Sequence, residues 1–137
     1  MNADDLLRRM AHTLKREIGP AIADEYPKTQ AFMAGVVLEK LARQLELVPL
    51  HAAAESADIA ALLSALGELL APVVVPAALS VALVALARTR DQTALGGLVG
   101  ALYDTRTALG TELFDRTLGR VRETLRAGID RQLAFAA

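Results

Sequence analysis

The sequence predicts an all-α protein: a single-domain bundle of five or six helices over residues 1–137, with two short buried helices in the middle and a long C-terminal helix. Three observations carry that expectation. Hydrophobic residues make up 53% of the chain but aromatic ones only 4%, so the core must be Leu, Ala and Val packed through small side chains. Apolar residues recur at spacings of three and four, the period of a helix face. The most apolar tract, residues 59–87, carries a single charge, Glu68, and is interrupted by Pro72 and Pro76. Proline lacks a backbone donor and clashes with the carbonyl four residues back, so two of them end one helix and start another. The pieces 59–71 and 77–87 would reach about 20 Å and 17 Å, short of the ~30 Å hydrocarbon layer of a membrane.

Taken in order, helix one is expected from about Ala3 to Ile18. Asn2 caps it, Asp4 and Asp5 occupy the first turn, and Leu7, Met10, Leu14 and Ile18 form one buried stripe. Asp4–Arg8 and Asp5–Arg9 have the spacing of solvent-side ion pairs. Gly19-Pro20 stops the helix, and residues 20–28 form a stiff connection from which Ile22 and Tyr26 fold back. Helix two is expected from Gln30 to Leu47, capped by Thr29 and ended by Pro49, with Phe32, Val36 or Val37, Leu41, Leu45 and Val48 facing inward. Glu39 and Arg43 pair on its wet side. Gly35 lowers helix propensity, which close approach of a neighbouring helix would offset. Helix three begins near Asp58 and ends near Leu70; helix four covers about Ala77 to Ala87. Thr89 to Gln92 has capping-box spacing and opens helix five, a break falls at Asp104–Thr107, and the last helix runs from about Thr107 to Ala134.

Residues 5–67 carry three segments, DLLRRMAHTLKREIGPAI, AFMAGVVLEKLARQLEL and HAAAESADIAALLSALG. With these the chain resembles a biochemically uncharacterised family of small helical proteins found near, or fused to, aminoglycoside-phosphotransferase-like kinases and acyl-CoA dehydrogenases. The resemblance implies a helical fold and an accessory role, and it transfers no site residues.

Chemistry is sparsely marked. There is no cysteine, hence no disulfide and no thiolate nucleophile or ligand. That composition, with an acidic rather than basic start to the chain, predicts a cytoplasmic protein. The histidines are His12, five residues before Glu17, and His51, four before Glu55; neither has the converging ligands of a metal site. Ser56, Ser64 and Ser80 lack a nucleophile elbow. The glycines of GGLVG, residues 96–100, match no phosphate loop and are expected to allow close helix packing. No cofactor is expected, and enzymatic activity is the least supported class. A candidate polar corner comprises Glu68, Tyr103, Asp104 and Arg106, with Glu68 expected to point outward. The net charge of −1 and the interleaved acids of the arginine-rich last helix argue against nucleic acid.

The function these features favour is a non-enzymatic helical interaction protein, self-associating as a dimer or docking on a partner enzyme. Candidate interface residues are Phe32 and Val36 on helix two, and Leu125, Ile129 and Leu133 on the last helix. The alternatives are a binder of an acyl-chain-like molecule between 59–71 and 77–87, and membrane association through 69–87.

Overall fold

A computed structural model describes residues 1–136. The described residues are all-α: helices α1 (Ala3–Thr13), α2 (Gly19–Ala21), α3 (Glu25–Leu70), α4 (Ala77–Thr89), α5 (Gln92–Asp104), α6 (Arg106–Leu109) and α7 (Thr111–Ala136), with a π-helical turn at Leu14–Ile18 that continues α1 and is counted as part of it. They form two compact units, one ending at Leu50 and one beginning at His51. The tract 59–87 is broken as the prolines require: α3 stops at Leu70 and α4 starts after Pro76. No helix among the described residues is long and apolar enough to cross a membrane.

In the first unit α1 lies against the first half of α3. The π turn has a local cause. Pro20 cannot donate to the carbonyl of Arg16 and its ring crowds it. The ladder widens instead, and the Gly19 N–H donates to the Leu14 carbonyl five residues back. A Cβ at Gly19 would stand 2.8 Å from that oxygen, so glycine is needed there. The chain leaves the helix at Ile22, and Asp24 starts α3, its carbonyl accepting from Lys28 N–H at 3.1 Å. Pro27 therefore sits in the first turn, where its missing donor costs nothing. Thr29 is not the cap; its hydroxyl donates to the Glu25 carbonyl at 2.9 Å, inside the helix. Tyr26 is exposed and does not fold back.

The expected end of helix two at Pro49 is corrected, as is the separate start near Asp58. Both belong to α3, which keeps Pro49 inside it. Proline removes one ladder bond there. The helix persists because residues 51–58 are held from elsewhere in the second unit. His51 stacks edge-on against Phe135 at 4.8 Å, Gln92 Nε2 donates to Glu55 Oε1 at 2.6 Å, and Arg131 pairs with Asp58. Ala52, Ala53 and Ala54 supply propensity.

The second unit encloses the main core. Ile59, Leu62, Leu66 and Leu70 of α3 meet Leu79 and Leu86 of α4, Leu95, Leu98 and Leu102 of α5, and Phe114, Leu118 and Val121 of α7. The tract 59–87 is thus one-sided rather than buried all round: Gly67, Glu68, Val81 and Val84 face outward. Arg90 in the left-handed conformation (φ 49°) ends α4. Asp91, not Thr89, caps α5, its Oδ1 accepting from Ala94 N–H at 2.8 Å. The break falls at Thr105, and Gly110 (φ 85°) turns the chain into α7, four residues later than expected. The expectation that Gly96, Gly97 and Gly100 allow close packing is also corrected: they face outward and a Cβ on any of them meets nothing within 4 Å.

Three sites in this unit are suboptimal: Gly96, Gly100 and Thr117. Gly96→Ala or Gly100→Ala should each raise stability by about 0.5–1 kcal/mol, because only backbone entropy is lost to glycine there. Thr117 is fully buried and its hydroxyl has no hydrogen-bond partner. Thr117→Val should add about 1 kcal/mol by removing that orphan at nearly constant shape. Urea unfolding monitored by circular dichroism reads each change.

Candidate interaction surface

The first unit is held by small residues. Its fully buried positions, among the described residues, are Ala11, Gly19, Gly35 and Ala42. A Cβ at Gly35 would lie 2.5 Å from Lys15 Cγ and 3.2 Å from the Ala11 carbonyl, so α1 and α3 approach closely there. The Gly35 expectation holds. The stripe expected to be buried with it does not. Met10 and Ile18 of α1 are exposed, as are Val37, Leu41, Leu45 and Val48 of α3. Close approach through alanine and glycine leaves no groove deep enough to take larger side chains, which are pushed to the flanks.

The two flanks differ in chemistry. On one, Arg8, His12, Lys15 and Arg16 of α1 line an open cleft with Glu39, Arg43 and Glu46 of α3. Arg8 reaches Glu46 at 2.6 Å rather than Asp4, and Lys15 reaches Glu39 at 3.1 Å, displacing the expected Glu39–Arg43 pair. Lys15 also lies 5.2 Å from the Phe32 ring. Helical residues advance by ~100° each, so the positions on the far side of the contact line share the opposite flank. These are Ala3, Leu6, Leu7, Met10 and Leu14 of α1, and Ala34, Val37, Leu38, Leu41, Leu45 and Val48 of α3. No charge interrupts them. Leu6, Met10, Val37, Leu41, Leu45 and Val48 are each 44–57% exposed.

The candidate residues of the sequence scatter. Phe32 is half exposed on the polar flank and Val36 is partly buried beside it. Leu125 packs on the core of the second unit, whereas Ile129 and Leu133 are exposed one turn apart on α7. Glu68 points outward, into a groove with Asp115, Arg116, Arg120 and Glu123. It is not among the lining of any corner with Tyr103, Asp104 and Arg106. Tyr103 and Arg106 instead cover the buried Phe114 ring, edge-on at 5.3 Å and face-on at 4.9 Å, while Asp104 is exposed. Sequence reasoning missed Leu6 and Met33 as outward apolar residues. The signal that could have found them is Ala31, Gly35 and Ala42, small residues at helical spacing that mark the true contact line. No family model, curated protein or solved structure matches the chain.

Close approach and surface pairing should separate cleanly by mutation. Gly35→Ala should cost about 1–3 kcal/mol, because both the Lys15 stem and the Ala11 backbone must move. Glu46→Gln, at an exposed pair, should cost under ~1 kcal/mol. Thermal unfolding of the two variants in parallel checks the ordering.

Proposed function

We propose that the protein is a non-enzymatic helical interaction module whose working state is self-associated. One observation carries this reading: along the first unit, large aliphatic side chains lie outside and only alanine and glycine lie fully inside. Burial of a Leu or Met side chain contributes about 1.5–3 kcal/mol, and a two-helix layer packed on small residues forgoes most of it. A second apolar layer recovers it. Enzyme chemistry draws no support from the polar side chains that the sequence singles out. Tyr103 and Arg106 are engaged on the Phe114 ring, and His51 packs against Phe135. The resemblance of residues 5–67 to helical proteins found beside or fused to larger enzymes fits an accessory role, and it covers the whole of this exposed layer.

Multi-angle light scattering at tens of micromolar should give twice the chain mass of 14.5 kDa. The thermal midpoint should rise with protein concentration, since association stabilises the folded state by mass action. A monomer at high micromolar concentration with a concentration-independent midpoint would overturn the proposal.

A further inference from the structure

We infer that the apolar flank of the first unit is the self-association surface, and that a second copy of this chain covers it, hairpin against hairpin, to make a four-helix layer. The inference rests on the self-association proposed above and adds which surface is used and what occupies it. Three observations select it.

The first is area. Leu6, Met10, Val37, Leu41, Leu45 and Val48, each about half exposed, present on the order of 500–600 Å² of apolar surface per copy, at the upper end of what a lone soluble protein exposes. Two apposed copies remove about 1,000–1,200 Å², where stable protein interfaces begin.

The second is charge. Residues 1–50 hold seven basic side chains (Arg8, Arg9, Lys15, Arg16, Lys28, Lys40, Arg43) and seven acidic ones (Asp4, Asp5, Glu17, Asp24, Glu25, Glu39, Glu46), a net of zero. An identical copy therefore meets no net repulsion, and an anionic membrane surface gains no net attraction. The flank itself is uncharged from Leu6 to Leu14 on one helix side and from Ala34 to Val48 on the other, so no carboxylate or ammonium is stranded when it is covered.

The third is shape. A layer of two antiparallel helices, apolar on one side and polar on the other, is half of a four-helix bundle. A two-fold axis through the apolar side makes the contact self-complementary and closed, and leaves the Arg8–Glu46 and Lys15–Glu39 pairs on the outside. The rival apolar patches are smaller: Ile129 and Leu133 on α7 lie among Asp130, Arg126 and Arg131, and the exposed side chains at and before α4 are four valines, Val73, Val74, Val81 and Val84.

The chain contains no cysteine, so single-cysteine variants report one position each. Met10→Cys and Leu41→Cys stand on the apolar flank, Arg43→Cys on the polar flank and Leu133→Cys on α7. Each would be treated with a short bis-maleimide at a concentration where the unmodified chain is dimeric by light scattering, with circular dichroism confirming helicity. Met10→Cys and Leu41→Cys should yield covalent dimer at least tenfold faster than Arg43→Cys and Leu133→Cys. Faster cross-linking at Leu133→Cys or Arg43→Cys, or equal rates at all four, would overturn this surface while leaving self-association standing. A monomeric unmodified chain would overturn both.

Discussion

The contact between α1 and α3 at Ala11, Gly35 and Ala42 sets the character of the first unit. Helix axes pack 8–10 Å apart according to the side chains between them, and small residues draw them toward the lower end. Close approach gains dispersion contacts between backbones but excludes large side chains from the seam. Every aliphatic residue of the two helices must then lie on a flank. Polar residues claim one flank through the Arg8–Glu46 and Lys15–Glu39 pairs, and the aliphatic residues take the other. The same seam thus fixes both the order within the unit and the unsatisfied surface outside it.

The second unit follows the opposite rule. Leucines from α3, α4 and α5 meet Phe114, Leu118 and Val121 of α7 in one cluster, so large side chains lie in the seam. Its outward glycines, Gly96, Gly97 and Gly100, touch nothing. Gly35 is structural and Gly96, Gly97 and Gly100 are not, although all four look alike in the sequence. The difference lies in what stands opposite: Lys15 and Ala11 face Gly35, while solvent faces Gly96.

Much of the fold was legible in the chain because its causes are local. Pro72 and Pro76 split the apolar tract, Pro76 leads into α4, and Gly110 with Thr105 divides the C-terminal third. Pro49 misled because its cost is a single ladder bond, whereas the grip of Phe135, Gln92 and Arg131 on residues 51–58 comes from segments far along the chain. The helix faces of the first unit were read by hydrophobicity, which finds an aliphatic stripe but not what covers it. Phe32 was placed on the inward face, yet it is half exposed beside Lys15 on the polar flank. Leu41 and Leu45 were placed inside and are outside. In both cases the deciding information was the line of small residues, which a reading weighted toward large apolar side chains passes over.

The three methionines provide the most direct test. Met10 stands on the apolar flank of the first unit, whereas Met33 on the outer side of α3 and Met1 at the start of the chain are exposed internal references. Thioether oxidation by dilute peroxide, read by mass spectrometry of peptides, follows solvent access. As protein concentration rises through the association range, Met10 should become several-fold slower to oxidise while Met1 and Met33 keep their rates. Unchanged rates at all three positions across that range would contradict the account.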